Sequence, residues 1–454
     1  FIIGALPWRP SDFRRLVLGL PMPPGVELED SPAVHTLTEL VHLRGISHGD
    51  QTFIQTWRHD SSEARGGIAR TISFRDFARL VEQAAGRLSS TCAAAAAAGG
   101  TVAILSLPSV PFFVYTLAVI RGGGAAAVLN WRQPHDALVA MARAASARSL
   151  LASVDLGNEA RRLCDSAAGV RLLWIPRSCA DDAPAPTPDD PSRPHSAAAD
   201  ATSAQPPAEV RAGGGDAGTD EAGFAREAAQ REGELAGADS SPGNATALLL
   251  FTSGSTGAPK PVALSHCALL AACGAKRRMS AELLSTRGAG TLSFLPNFHV
   301  IGLVNNFLFN LSAAIRCAVL EDVAAAGPLT ARMLLRACED LEPTVLDTVP
   351  HLAQEMLLLL DTAEGAPLAA PLKRLRYLLA GGAALNGALL LPLLARHDVS
   401  LWPHYGQTEL GGPILAGGLE GDLSAMRPPP GVGWRLAPEG GGGGGGGGGE
   451  EGEV

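Results

Sequence analysis

From Thr71 to Ile175, and again from Ala247 to Trp402, short apolar runs alternate with stretches of helical spacing, and no other feature constrains the fold as much. After Thr71-Ile-Ser-Phe74, apolar residues recur at Phe77, Leu80, Val81, Ala84 and Leu88, the spacing of one helix face. Thr101-Val-Ala-Ile-Leu-Ser106 is nearly unbroken in apolar character, as a strand covered on both faces requires. Pro111 to Ile120 predicts a helix stopped by Gly122-Gly-Gly124. Ala126 to Leu129, Ser149 to Val154 and Val170 to Ile175 predict further strands, with a helix from Pro134 between the first two. Upstream, Ser31-Pro32 predicts an N-cap and first turn for a helix running through Leu43. Strands separated by helices imply right-handed crossovers and a parallel sheet.

The second half repeats the pattern. Ala247 to Leu250, Thr291 to Leu295, Arg316 to Leu320, Thr344 to Val349 and Leu375 to Ala380 predict strands. Ile301 to Ala313, Leu329 to Cys338, His351 to Leu360 and Leu385 to Arg396 predict helices. Between the halves the composition changes. Residues 181–245 hold 13 acidic and 4 basic residues, an imbalance equal to the −9 of the whole chain, and Phe224 is their only aromatic. Ordering the backbone costs about 1–2 kcal/mol per residue, and this stretch has little apolar area to offset that. It reads as a disordered, solvated insertion, with an acidic interaction segment as the alternative. The chain then divides into a first α/β lobe at 1–180, the insertion at 181–245, a second α/β lobe at 246–437, and a glycine-rich tail at 438–454 whose Gly440 to Gly449 run cannot hold a strand.

With 36 basic against 45 acidic residues, electrostatic binding to nucleic acid is disfavoured. Seven cysteines with no Cys-x-x-Cys pair argue against a disulfide framework or a zinc site and suit a reducing compartment. Tyr377 to Ala395 is uncharged, but Gly381-Gly382, Asn386 and Pro392 interrupt it, so a strand, turn and helix fit better than a membrane span. No signal peptide is visible, and the cytoplasm is the expected location. The chain opens at Phe1 rather than methionine and reads as a fragment.

The chemistry centres on Phe251-Thr-Ser-Gly-Ser-Thr-Gly-Ala-Pro-Lys260. Glycines let a backbone turn and bring its N–H groups close to a ligand. Ser253, Ser255 and Thr256 add hydroxyl donors and Lys260 a mobile cation, a set suited to a polyphosphate. Taken alone, this could be a Ser/Gly loop with a surface lysine. Yet only Lys260, Lys276 and Lys373 are lysines in a chain whose other cations are arginines, and one of the three stands here. The spacing is not that of the Walker loop, because Ala258-Pro259 precedes the lysine. The stretch instead resembles the phosphate-binding signature of the adenylate-forming superfamily, which includes acyl-CoA synthetases, luciferases and peptide-synthetase adenylation domains. Asn130-Trp131-Arg132, after a strand, resembles the first lobe of acyl-CoA synthetases.

Three later stretches extend the resemblance. Tyr405-Gly-Gln-Thr-Glu409 matches a second signature of the family. An aromatic ring can stack on a purine, the Thr408 hydroxyl can bond the α-phosphate, and Glu409 is a hard oxygen ligand suited to Mg2+. Ala380-Gly-Gly-Ala-Ala-Leu385 ends a strand, where glycines leave room for a flat base. Leu295-Pro-Asn-Phe-His-Val-Ile-Gly302 carries the family's aromatic-histidine pair, where a lone histidine would otherwise read as structural.

The resemblance implies two doubly wound α/β lobes of the adenylate-forming large domain, joined by the disordered insertion and lacking the small C-terminal domain. It implies ATP and a small-molecule carboxylic acid as substrates, Mg2+, and CoA or a carrier protein's phosphopantetheine as acyl acceptor. By it, Thr252, Ser253, Gly254, Ser255, Thr256, Gly257 and Lys260 hold phosphate. Gly381, Gly382, Ala383, Tyr405, Gly406 and Thr408 hold the nucleotide, and Glu409 holds the metal. Lys260, His299, Thr408 and Glu409 act on the reacting groups, with His299 between the acid pocket and the nucleotide. Val300, Ile301 and Gly302 offer no acid to pair an α-ammonium, so an acid without an α-amino group is expected. The ribose-binding aspartate is not found downstream of Arg427-Pro-Pro-Pro-Gly431, Gly421-Asp422-Leu423 stands in the wrong order, and no lysine follows Lys373. Weak or absent turnover with nucleotide binding retained is the expectation. The alternatives are an adenylation domain that loads a carrier protein and a non-catalytic nucleotide-binding remnant.

Overall fold

The computed structural model describes residues 34–60, 65–167, 169–178, 242–253, 259–280, 289–321, 329–375, 377–397, 399, 401–417 and 426–427. The Ser31-Pro32 cap, the acidic stretch up to 241 and the glycine tail lie outside these residues. The first described helix, α1 (Leu37–Ser47), begins later than the sequence suggests, because Thr36 and Glu39 close a reciprocal capping box there. There follow β1 (Thr52–Asp60), β2 (Arg65–Ser73), α2 (Phe74–Ala97), β3 (Thr101–Leu105), α3 (Val110–Arg121), β4 (Ala126–Val128), α4 (His135–Ala144), β5 (Ala147–Ser153), α5 (Gly157–Ser166) and β6 (Arg171–Ile175). After the acidic stretch come β7 (Thr246–Ser253), β8 (Pro259–Ser265), α6 (His266–Met279), β9 (Gly290–Ser293), a π-helical segment (Ile301–Leu308), α7 (Phe309–Ala313) and β10 (Arg316–Glu321). The last elements are α8 (Ala331–Leu341), β11 (Val345–Thr348), α9 (Pro350–Leu360), α10 (Ala369–Arg374), β12 (Tyr377–Ala380), α11 (Gly387–His397), β13 (Leu401–Gln407), β14 (Gly412–Gly417) and β15 (Met426–Arg427).

Two largely parallel sheets result. One runs β6-β5-β3-β4-β7-β8 and the other β15-β14-β13-β12-β11-β9-β10-β1-β2. Antiparallel pairs occur at β1–β2, β7–β8, β13–β14 and β14–β15. The sheets cross the sequential division twice. β1, from the first half, pairs parallel with β10, Ile54 opposite Cys317. β7 and β8, which carry the phosphate signature, extend the first-half sheet through Leu248 opposite Ala126. Local pattern identifies a strand but not its distant partner, so sheet membership had no local signal. The β1–β2 hairpin and β14 were likewise unread, since Gly-rich and partly polar strands lack a clean period.

Alternation along central strands sets the layers. Val102 and Ile104 face a helical layer between the sheets, while Ala103 and Leu105 face α4 and α5 outside. Cys317 and Val319 face the same middle layer, while Ala318 and Leu320 face α8, α9 and α11. Phe307 of the π-helical segment is fully buried in the middle layer, stacked on Phe113 at 3.9 Å between centroids and edge-on to Phe77 at 5.7 Å. No described helix is long and apolar enough to cross a membrane. The uncharged stretch from Tyr377 is β12, a turn and α11.

Candidate active site

Those predicted residues that are described lie near the carboxyl ends of β7, β9, β12 and β13, the edge where open α/β sheets bind ligands. β7 and β8 form an antiparallel hairpin with Thr252 opposite Lys260. Gly254, Ser255, Thr256, Gly257 and Ala258, between the two strands in sequence, lie outside the described residues, as does the side chain of Ser253. Lys260 is exposed and Thr252 half-buried. From the other sheet, β13 ends in a single helical turn, Thr408–Leu410, that packs against both β7 and β8. The two signatures are therefore neighbours across the gap between the sheets. Glu409 is exposed on this turn. Among the described residues no three His, Cys, Asp or Glu side chains form a metal cluster. A single exposed carboxylate is a donor set that a magnesium ion could share with phosphate oxygens and water.

The base-binding candidates line up beside this turn. Gly381 follows β12 and donates its N–H to Thr348 O at 3.3 Å. Its Cα lies so close to β13 that a Cβ would stand 2.4 Å from the His404 ring and 2.6 Å from His404 O. Gly382 is exposed at φ +81°, a left-handed conformation that favours glycine, and Ala383 is exposed beside it. Tyr405 is half-buried, and its hydroxyl accepts from Gln407 Nε2 at 2.7 Å, which holds the ring in place. Gly406 is packed against the Gly412 backbone, with no room for a Cβ.

His299 leaves β9 through a turn and stands at the mouth of the π-helical segment. Its N–H donates to Pro296 O at 3.1 Å, and Leu303 N donates back to His299 O at 3.0 Å. The ring contacts Phe298 at 4.9 Å, and Phe298 meets Trp131 edge-on at 6.2 Å. The Arg132 guanidinium lies 5.0 Å above Trp131. Although His299 keeps exposed surface, desolvation lowers its pKa, and Arg132 lowers it further, so the imidazole is neutral near pH 7. The Asn130-Trp131-Arg132 stretch thus acts with the histidine motif across the two sheets. Asn297 Nδ2 reaches Ser106 O at 3.4 Å, a second tie between them.

Sequence reasoning missed the buried group beneath these motifs. Lys276 Nζ on α6 donates to both Asp347 oxygens, at 2.8 and 3.0 Å, and to Asn305 O at 2.5 Å. Both charged residues are almost fully buried, at 3% and 1% side-chain exposure. Asn306 Nδ2 adds a 3.4 Å contact to Asp347. His404, also buried, lies near enough to feel both charges. The signals were an aspartate inside an apolar strand and a second lysine kept in a lysine-poor chain.

Burial lowers the His404 pKa from 6.5 to about 4, with Asp347 opposing the shift and Lys276 adding to it. The folded protein therefore prefers neutral His404, while the unfolded chain protonates near the ordinary value. Stability from this group is present above pH 6.5 and is lost as pH falls towards 4, by about 3 kcal/mol in all. Urea unfolding between these pH values should show that slope in the wild type and a reduced slope in His404→Gln.

A profile of the AMP-binding enzymes matches residues 49–454. The chain belongs to the AMP-binding enzyme family. It is 33% identical over 181 residues to the acyl-CoA synthetase ALT10 of Alternaria alternata, a match covering 40% of this chain and 29% of that protein. It is 32% identical over 206 residues to the syringomycin synthase SyrB1 of Pseudomonas syringae pv. syringae, covering 43% and 31%. These matches span less than a third of each relative. Among solved structures, the anthranilate CoA ligase AuaEII with anthranoyl-AMP shares the fold at a TM-score of 0.58 and 15% identity, over 89% of this chain and 64% of that one. A benzoate CoA ligase from Burkholderia xenovorans LB400 does so at 0.58 and 18%, over 87% and 66%. The two parallel-rich sheets are those of the adenylate-forming large domain.

Proposed function

We propose that this chain activates a carboxylic acid with ATP, forming an acyl-adenylate and pyrophosphate, for transfer to the thiol of CoA. The observation that supports this reading is the packing of the Thr408–Leu410 turn, which carries Glu409, on strands β7 and β8, which carry Thr252 and Lys260. A carboxylate oxygen attacks the α-phosphorus, and pyrophosphate leaves. Positioning and charge neutralisation supply most of the catalysis in such a step. Lys260 and the hairpin donors face the phosphates, Thr408 bonds the α-phosphate, and Glu409 holds Mg2+, which neutralises phosphate charge when bound. Gly381, Gly382, Ala383, Tyr405 and Gly406 take the base. His299, neutral by virtue of its surroundings, gates or contacts the acid without placing an extra charge on it. The similarity to ALT10, an acyl-CoA synthetase, supports CoA as acceptor.

Carboxylate-dependent exchange of labelled pyrophosphate into ATP tests the reading. Exchange should appear with at least one of a panel of aryl, fatty and short acids, and Lys260→Ala should slow it by about tenfold or more, the loss of one charge-assisted contact. An unchanged rate in Lys260→Ala would put the phosphates elsewhere.

A further inference from the structure

Away from the nucleotide motifs, α4 and α5 bring together three side chains that the acid-activating reading does not use. His135, the first residue of α4, places Nδ1 2.5 Å from Glu159 Oε1 and Nε2 3.0 Å from Ser166 Oγ, both on α5. The order of the two nitrogens matters. A proton on Nδ1 is held by the carboxylate, which leaves the Nε2 lone pair facing a hydroxyl. In this arrangement a carboxylate orients an imidazole and the imidazole draws the proton from a serine, a constellation recognised by its geometry whatever the fold or chain order. Exposure follows the same division of roles: Ser166 is exposed, while the His135 and Glu159 side chains keep only 18% and 27% of their surface. Arg162 Nη1 steadies the other Glu159 oxygen at 3.3 Å.

A second observation lies beside the serine. Arg143 Nη2 donates to Ser166 O at 3.1 Å, so a guanidinium stands next to this residue. Arg143 also lines an open cavity of about 350 Å³, together with Arg148 and the small side chains of Ala142, Ala147, Ala167 and Val170. That volume is within the range of small-molecule sites. No acidic side chain lines the cavity, so two cations stand over a small apolar floor. The cavity sits where β5 and β6 begin, at the opposite edge of this sheet from the carboxyl end of β7. A hydrogen-bonded tie between two helices would need neither this nitrogen order nor an adjoining cavity.

We propose that Ser166, His135 and Glu159 form a second catalytic site, an esterase acting on small esters that carry a carboxylate. Ser166 Oγ attacks the ester carbonyl carbon, and its proton passes to His135 Nε2. The C–O bond to the alcohol then breaks, and the alcohol leaves with that proton. Nε2 next takes a proton from water, whose oxygen attacks the acyl-serine, and Ser166 leaves with the proton restored. Ester and water thus give acid and alcohol with no other reactant. Arg143 stabilises the oxyanion formed beside it, and Arg148 in the cavity takes the carboxylate of the substrate. This activity needs no ATP and goes beyond the acid-activating reading.

Hydrolysis of 4-nitrophenyl hydrogen adipate and of 4-nitrophenyl hexanoate, matched in chain length, tests the proposal, read as nitrophenolate release without ATP. The wild type should prefer the adipate by about tenfold in kcat/KM, one charge-assisted contact. Ser166→Ala and His135→Gln should each lower kcat by about 100-fold or more. Arg148→Met should remove the preference while sparing kcat on the hexanoate. Circular dichroism checks that the variants fold. Should they misfold, an alkyl fluorophosphonate tests the wild type directly: Ser166 Oγ should displace fluoride and carry the phosphonyl group in the tryptic peptide from Leu163 to Arg171. No hydrolysis above the uncatalysed rate, equal rates on the two esters, hydrolysis undiminished in Ser166→Ala, or a phosphonyl group on another residue would each overturn the proposal. Pyrophosphate exchange reads the acid-activating site separately, so the failure of one reading is told apart from the failure of the other.

Discussion

Lys276→Met should destabilise the protein by about 3–5 kcal/mol, the cost of leaving one member of a buried ion pair without its partner. The stranded group is Asp347, which is 1% exposed and, among the described residues, would keep the 3.4 Å contact from Asn306. The ammonium also spans three elements, because it meets Asn305 O on the π-helical segment and lies 4.7 Å from the Phe309 ring. Its loss therefore loosens the seam between α6, β11 and the segment that follows His299. Asp347→Leu alone should cost a similar amount, since it strands the lysine. The double variant should recover much of the loss, because two apolar groups of similar volume need no desolvation. Urea unfolding of the four proteins completes the cycle. Additive losses would show that Lys276 and Asp347 are not coupled, contrary to their geometry.

Gly381→Ala should abolish most nucleotide binding, weakening AMP by about 100-fold or more, as expected when a binding wall moves by an ångström. The methyl group would meet the His404 ring at 2.4 Å and, more seriously, His404 O at 2.6 Å. A ring can turn, but the carbonyl belongs to β13 and cannot retreat without moving Tyr405 and the Thr408–Leu410 turn behind it. The damage thus reaches the proposed base-binding and metal-binding groups together. Isothermal titration with AMP measures it, and circular dichroism separates it from unfolding. AMP affinity within a few-fold of the wild type would mean that the base does not lie between Gly381 and Tyr405. Gly382→Ala offers a milder comparison, since a methyl there is opposed by the φ of +81° and by a 3.1 Å approach to the flexible end of the Ile301 side chain, with no backbone atom in the way.

The elements of this protein were largely legible in its sequence. Phe74 to Ala97 forms a helix because its apolar residues repeat at helical steps and Ser73 caps its first turn. Thr101 to Leu105 is a strand buried on both faces because nearly every position is apolar. The two family signatures were legible for a different reason: the proposed phosphate loop and the proposed metal-binding turn need fixed residue types at fixed spacing, so short stretches carry them whole. Periodicity and local chemistry act over a few residues, and a linear reading captures what acts over a few residues.

Tertiary structure alone decided what distant segments do together. It placed β1 beside β10, β7 beside β4, and the Thr408–Leu410 turn against the β7–β8 hairpin. It joined Trp131 and Arg132 to Phe298 and His299, and it buried Lys276 on Asp347 close to His404. A residue can stand out locally, as Asp347 does in its apolar strand, but its partner cannot be read there, because each pairing arises where long-range packing excludes water and makes a contact that is negligible in the open chain decisive in the fold.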